Sequence, residues 1–547
     1  MGVTWTKEQE KVISLRDRNI LVSAAAGSGK TAVLVQRILS KIMDKAHPVD
    51  IDRLLIMTFT RAAAGEMRER IARALDEALY ENPDNEHLQR QTTLIHTAQI
   101  TTIDGFCSYI IRNYFHLIGL DPGYKTAEEG ELKLLKEDVL KELLEERYAS
   151  GEEDFHQFVE CYATGKTDEG IKEYILDVYE AAMSHPYPEE WLQECLTVYE
   201  TDSLEKLRET QWMQLLWETA ISELAEALGL LKEAKALCST SGGPYLYEEA
   251  LDSDLELLEM LMKKGKEKDF DGMSALLNSP AFVRLPGKKM EGVQENKKEQ
   301  VKALREEVKG ILKEMKTRYF MGSEKQILLL LKLCREPMQT LVGLVRSFME
   351  LFAEKKREKN LLDFTDMEHF ALKILMGEDG EKSQAARELS EKYDEVLVDE
   401  YQDSNLVQEL LTVCVSGWVK EKKNIFMVGD VKQSIYRFRL ARPELFMEKY
   451  KRYSLTDSTE QRIDLHKNFR SRPEVLESVN FLFRQIMGED LGGINYDEEA
   501  ALYPGAVFPE GENKEFVKTK VILVEKNTEE LADEPGGVNA QELEALS

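Results

Sequence analysis

Two short segments of this sequence have the makings of one site, yet they stand far apart. Residues 23–31 read SAAAGSGKT and residues 396–403 read VLVDEYQD. In the first, a Gly-Ser-Gly-Lys-Thr turn leaves backbone N–H groups free to point at phosphate oxygens. Lys30 can then reach the terminal phosphates and the Thr31 hydroxyl can sit on Mg²⁺. The run NILVSA before it reads as a strand. KTAVLVQRILSKI after it has apolar residues at helical spacing, so the loop opens a helix whose N-terminal dipole favours anions. In the second segment, Val396-Leu397-Val398 predicts a buried strand with Asp399-Glu400 at its end. One carboxylate suits a metal-borne phosphate and the other can polarise water. Lys30 and Asp399 are 369 residues apart, far more than one nucleotide-binding domain needs. A single site built from both ends requires a large insertion between two halves of one sheet.

The phosphate loop departs from the G-x-x-x-x-G-K-[ST] pattern at its first position, where Ala24 replaces glycine. The expected loop is then Ala24, Ala25, Ala26, Gly27, Ser28 and Gly29, followed by Lys30 and Thr31.

Around these segments the pattern changes twice. To about residue 118, strand-like runs (NILVSA, LLIMTFT) alternate with helical ones, which predicts a parallel α/β sheet. From about 120 to 358 the pattern is almost wholly helical, with Leu132, Leu135, Val139 and Leu143 on one face. SGGPYLYEEA and NSPAFVRLPGKKMEG read as breaks, and KKMEGVQENKKEQVKALREEVKG as a solvated helix or mobile loop. The α/β pattern resumes at YDEVLVDE and NIFMVGD. A further block follows, QRIDLHKNFRSRPEVLESVNFLF, then a strand-like run FVKTKVILVEK and the start of a terminal helix.

The chain of 547 residues has no run of eighteen apolar residues and no apolar N-terminal leader. Its six cysteines are scattered without a C-x-x-C pair, which points to reduced thiols and a cytoplasmic setting. The net charge of −29 argues against nucleic acid when read as a sum. Its distribution argues differently: from Lys422 to Arg472 there are thirteen Lys/Arg against six Asp/Glu. A solvated charged face would also produce such a window.

With those motifs in order, the chain resembles the UvrD/Rep group of superfamily 1 DNA helicases. WTKEQEKVI resembles the group's adenine-contacting segment, with Gln9 as its glutamine, whose amide both donates and accepts. MTFTRAAAGEMRERI and TTIDGFC resemble its DNA-contacting segments. DFTDM, VLVDEYQDSN, VGDVKQSIYRFR and LHKNFRSRPEVL complete the series. Within the group, the wording DEYQDSN and the long helical insertion resemble the larger, AddA-type component of bacterial AddAB helicase–nucleases.

The resemblance implies roles residue by residue. Lys30 and Thr31 would hold phosphate and metal, and Asp399 would orient Mg²⁺. Glu400 would be the base for the attacking water. Gln433 would sense the γ-phosphate, Arg470 would stabilise developing charge, and Phe469 would pack near the adenine. Phe59, Arg61, Tyr436, Arg437, Phe438 and Arg439 would meet DNA, where base stacking is tolerant of sequence. Phe59 could equally be core at the end of its strand, and Asp363 and Asp366 could simply cap a helix.

The implied architecture is a RecA-like parallel sheet in two parts, 1–118 and 359–452, around a helical insertion at 119–358. A second RecA-like domain would begin at 453–547. The implied function is that of an ATP- and Mg²⁺-dependent 3′–5′ DNA motor in double-strand break repair. Its partners would be single-stranded DNA, duplex ends and an AddB-type protein in a heterodimer, with no membrane. A nucleotide kinase or small-molecule ATPase would not account for Gln433, Arg470 and the aromatic run.

The group's later helicase motifs and the AddA nuclease domain have no counterpart here. The chain therefore reads as an N-terminal part of a protein about twice as long. On that reading it is expected to bind ATP without unwinding duplex DNA by itself. The alternative is an ATP- and DNA-binding scaffold with little turnover of its own.

Overall fold

The computed structural model describes residues 4–163, 167–288, 290–377, 380–417, 422–489, 493–509 and 519–520. The chain divides into two compact units, one comprising Met1–Thr126 with Leu362–Ser547 and the other Ala127–Leu361. The run FVKTKVILVEK, apart from residues 519–520, and the terminal helix pattern lie outside the described residues.

The first unit is built on six parallel strands: β1 (Asn19–Ala24), β2 (Leu54–Thr58), β3 (Ile100–Thr102), β4 (Glu395–Val398), β5 (Ile425–Gly429) and β6 (Glu460–Leu465). Their order across the sheet is β3-β2-β4-β5-β1-β6. The strand from the far side of the insertion, β4, thus lies between β2 and β5, with Ile56 opposite Leu397 and Leu397 opposite Phe426. Neither half of the chain holds a complete sheet.

Alternation along these strands sorts their side chains onto two covered faces, as in other parallel sheets. Ile20, Val22, Ile56, Leu397 and Phe426 pack with Val33, Ile38 and Met67 on one face. Leu21, Leu55, Met57, Val396 and Met427 pack with Phe106, Leu372 and Leu411 on the other. Glu460–Leu465 falls in the stretch expected to open a further domain, yet it pairs along β1 from Asn19–Glu460 to Ala24–Leu465. Its Ile463 and Leu465 join the core that holds Ile20 and Val22.

The two halves are also tied by a buried ion pair. Arg37, on the helix after the phosphate loop, donates to Glu395 at the start of β4, at 2.6 and 3.2 Å. Both side chains are nearly inaccessible, and Lys41 stands 3.4 Å from the same carboxylate. Burial alone would raise the Glu395 carboxyl, but the charges of Arg37 and Lys41 outweigh it and hold the group below its usual range. A depressed carboxylate contributes stability that is present above its unfolded value and lost as pH falls through the folded one. Arg37→Met should therefore cost about 3–5 kcal/mol near neutral pH, because it leaves a buried carboxylate short of a partner. The difference from wild type should narrow in acid, where Glu395 takes up a proton. Urea unfolding at pH 7 and at pH 4 measures both; an equal cost at the two values would assign the loss to packing.

The second unit is mainly helical, with an irregular stretch over residues 279–288 and 290–294 and a strand residue at Leu361. One core gathers Leu135, Val139 and Leu143 with Val345, Phe348 and Phe352. The other gathers Trp217, Leu224, Leu258 and Phe270 with Val308 and Met315. Helix Glu324–Glu358 runs 35 residues with Pro337 inside it. Of the charged stretch expected to be a solvated helix or mobile loop, the part from residue 295 on lies in helix Glu295–Arg318, with Val301, Val308, Leu312 and Met315 buried. Its apolar residues recur at helical spacing among many charges. Within it Arg305 donates to the buried Asp254, at 2.5 and 3.1 Å, and to the Val283 carbonyl.

Candidate functional site

The site lies at the C-terminal ends of β1, β4 and β5, where ligands bind in open parallel sheets. Ala24 ends β1 buried and paired with Leu465, in ordinary extended backbone, so alanine is acceptable where the pattern has glycine. The left-handed positions are Gly27 (φ +69°) and Gly29 (φ +85°), and Gly29 caps the helix Lys30–Ile42. The Ser28 hydroxyl is buried with no hydrogen-bond partner among the described residues.

Asn468, which sequence reasoning passed over, closes the far side of the loop. Its Nδ2 donates to the Ala26 carbonyl at 2.7 Å, and the Phe469 N–H donates to the Gly27 carbonyl at 2.8 Å. A Cβ on Gly27 would stand 2.6 Å from that amide, so glycine is needed for space as well as conformation. Asn468 Oδ1 also accepts from the backbone N–H groups of Arg470 and Ser471, both at 2.8 Å. The motif LHKNFRSR carried the signal, since Asn readily organises the backbone that follows it.

The sheet brings Lys30 and Glu400 together. Lys30 Nζ donates to both oxygens of Glu400, at 3.0 and 2.9 Å. Glu400 sits in left-handed backbone (φ +51°, ψ 44°), a conformation that costs a residue with a Cβ about 1–3 kcal/mol. That twist ends β4 and turns the Glu400 carboxylate toward the phosphate loop. Asp399 accepts from the Glu400 N–H at 3.0 Å. Burial, helped by the neighbouring Glu400 charge and opposed by Lys30, pushes its carboxyl up to about 6. Thr31 is half-buried beside Lys30.

Gln433 lies in the turn after β5, its Nε2 donating to Asp430 at 2.8 Å. Gln9 is buried, and both ends of its amide are engaged. Its Oε1 accepts from the Thr6 N–H to close a capping box, and its Nε2 donates to the Ser28 carbonyl at 3.1 Å. A cleft of about 960 Å³ opens beside it, lined by Thr6, Gln9, Ser28, Asp464, Phe469 and Tyr503. Phe469 is partly exposed on its wall. Gly505 makes room for that ring, since a Cβ there would stand 2.8 Å from it. Arg470 is exposed.

A second cluster gathers the aromatic residues. The rings of Phe59 and Tyr436 are 4.7 Å apart, and those of Tyr436 and Phe438 are 5.9 Å apart. Phe59 and Tyr436 are half-buried, whereas Phe438 is 76% exposed, which rules out a core role for it. Arg61 is exposed at the start of its helix. Arg437 is paired with Glu444, so part of its charge is met within the chain. The Arg439 side chain lies outside those described. Asp363 and Asp366 form a reciprocal cap on helix Phe364–Leu375, with contacts of 2.7 and 3.0 Å.

Comparison with known proteins gives the family. Residues 5–454 match the model of the UvrD/REP helicase N-terminal domain. The A component of the ATP-dependent helicase/nuclease of Lachnoclostridium phytofermentans is 47% identical over 99% of this chain and 40% of its own length. The proteins of the same name from Clostridium perfringens strain SM101 and Geobacillus thermodenitrificans are 43% and 42% identical, over 95% and 100% of this chain and 41% and 44% of theirs. This chain thus spans less than half the length of those relatives. A phosphate loop, an acidic strand end and a glutamine turn joined on one parallel sheet, together with these matches, place the chain in the UvrD/REP helicase family.

Proposed function

We propose that this chain is the ATP-hydrolysing part of a 3′–5′ DNA motor within a helicase–nuclease that processes double-strand breaks. The observation that carries the reading is the contact between Lys30 and Glu400 across 370 residues of sequence. It puts a phosphate-binding cation and a candidate base within one hydrogen bond of each other. ATP would lie with its phosphates on residues 25–31 and its base in the cleft beside Gln9 and Phe469.

The donor set suits Mg²⁺, which keeps several waters and takes one or two carboxylates besides phosphate oxygens. Asp399 and Thr31 would supply the protein's share. The ion would neutralise charge on the phosphates. Glu400 would accept the proton of the attacking water, Gln433 would contact the terminal phosphate, and Arg470 would answer its developing charge. The Ser28 hydroxyl, buried without a partner, fits a loop that completes its hydrogen bonds on phosphate.

Single-stranded DNA would run over Phe59, Tyr436 and Phe438 with Arg61, Arg437 and Arg439 on its backbone. The relatives are named as one component of a larger helicase/nuclease, which supports a second protein of the AddB type as partner. Because Glu460–Leu465 belongs to the first sheet, the second RecA-like domain would begin only after Leu465.

DNA-stimulated ATP hydrolysis by the purified chain tests the reading; a chain that binds both ligands without turnover is a scaffold instead. Tyr436→Ala and Phe438→Ala should each weaken single-strand binding by roughly 1–3 kcal/mol, the worth of a stacked base. ATP affinity should stay unchanged, and wild-type DNA affinity should fall steeply with salt. Anisotropy of a labelled oligonucleotide reads all three. A fall in melting temperature with DNA affinity intact would make that aromatic a packing residue.

A further inference from the structure

Gln402 stands between the two acidic residues of its own turn and the end of β5. We propose that Gln402 is a positioning residue for hydrolysis, holding the Glu400 carboxylate and tying it to the turn that carries Gln433. This rests on the nucleotide-hydrolysing reading above.

The side chain is 1% exposed and its amide is engaged on three sides. Nε2 donates to Glu400 Oε2 at 2.9 Å and to Asp403 Oδ2 at 3.0 Å, and Oε1 accepts from the Asp430 N–H at 3.0 Å. Two donors and one acceptor on one planar group are what an amide offers, and no other side chain of that length does. Asp430 continues the path, since its carboxylate accepts from Gln433 Nε2 at 2.8 Å. Glu400, Gln402, Asp430 and Gln433 are thus joined by consecutive hydrogen bonds.

Gly429 is an independent sign of the same fit. It ends β5 and does not have the positive φ that calls for glycine. A Cβ there would stand 2.2 Å from Gln402 Oε1. The glycine leaves room for the amide.

Glu400 Oε2 accepts from both Lys30 and Gln402. A phosphate competes for the lysine and has no claim on the buried glutamine. As Lys30 turns to phosphate, the Gln402 bond keeps the carboxylate in place for the attacking water.

The test compares wild type with Gln402→Met, which keeps volume and removes all three bonds, and with Gly429→Ala, which keeps the glutamine and displaces it. Measured on each are DNA-stimulated ATP hydrolysis, binding of a fluorescent ATP analogue and thermal melting. Both variants should lose about 100-fold in kcat, the scale of an ångström-sized misplacement. KM and analogue affinity should stay within about twofold, the mark of an interaction used only in the transition state. The double variant should be no slower than Gln402→Met, because the three bonds that the added methyl would disturb are already absent. Unchanged kcat in either folded variant overturns the role, as do losses that multiply in the double variant or a KM that rises in step. Should Gln402→Met fail to fold, Gly429→Ala decides on kcat and KM alone. A wild-type chain that does not hydrolyse ATP overturns the functional reading and this role with it. An active wild type with unaffected variants overturns this role alone.

Discussion

Glu400→Gln should keep ATP binding and lose turnover by roughly 10²–10⁴, the range for removal of a general base. The substitution preserves size and leaves one oxygen that can still accept from Lys30 or Gln402. The other position becomes an N–H₂ group, which cannot accept from either. Lys30 is then held less tightly within the chain and is freer for phosphate, so nucleotide affinity should stay level or tighten. Binding of a fluorescent ATP analogue and steady-state hydrolysis with single-stranded DNA separate the two quantities. Equal loss of both would move Glu400 from water activation to holding metal or phosphate.

Lys30→Ala should abolish turnover and weaken binding as well. The alanine removes the side-chain cation of the phosphate loop, and a charge-assisted contact to phosphate is stronger than a neutral one. It also removes the charge that opposes the rise of Asp399, whose carboxyl stands at about 6 through burial and the Glu400 charge. A protonated Asp399 is a poor ligand for Mg²⁺. In wild type, Mg²⁺-dependent nucleotide binding should therefore fall away as pH drops through about 6. In Lys30→Ala that limb should move to higher pH. A Lys30→Ala chain that keeps half its DNA-stimulated turnover would sink the assignment of this loop.

Much of this was legible because the relevant information is local. The strand–loop–helix around SAAAGSGKT follows from an apolar run, two left-handed glycines and helical spacing, all within some twenty residues. Four strands of the sheet, Asn19–Ala24, Leu54–Thr58, Glu395–Val398 and Ile425–Gly429, were visible as short apolar runs. What escaped was set by partners remote in sequence. The sixth strand, Glu460–Leu465, contains charged side chains among its six residues, and only its register beside β1 assigns it to this sheet. Helix Glu295–Arg318 looked solvated because its buried stripe is narrow among lysines and glutamates. In the site, Lys30, Asp399, Glu400 and Gln433 were each marked by a motif. Gln402 and Asn468 lie inside the same motifs, yet their importance depends on what faces them: Gly429 and Asp430 for one, Gly27 and Ala26 for the other. Asp363 and Asp366 show the reverse case, where a motif match is met by a helix cap.

The strand order has a consequence for synthesis on the ribosome. Both neighbours of β1, namely β5 and β6, come from beyond residue 424, while β1 itself is complete at Ala24. At about 5–20 residues per second, β1 waits roughly 20–80 s for its first hydrogen-bonding partner. During that interval the buried run Ile20-Leu21-Val22 has two open edges, the condition in which strands pair with the wrong chain. The helical unit, whose described contacts are nearer in sequence, can collapse while the wait continues. Slow decoding between residues 127 and 424 would lengthen the exposure, and a holdase that covers short apolar strands would shield it. For this architecture the vulnerable species is the nascent chain, and its lifetime is set by the length of the insertion.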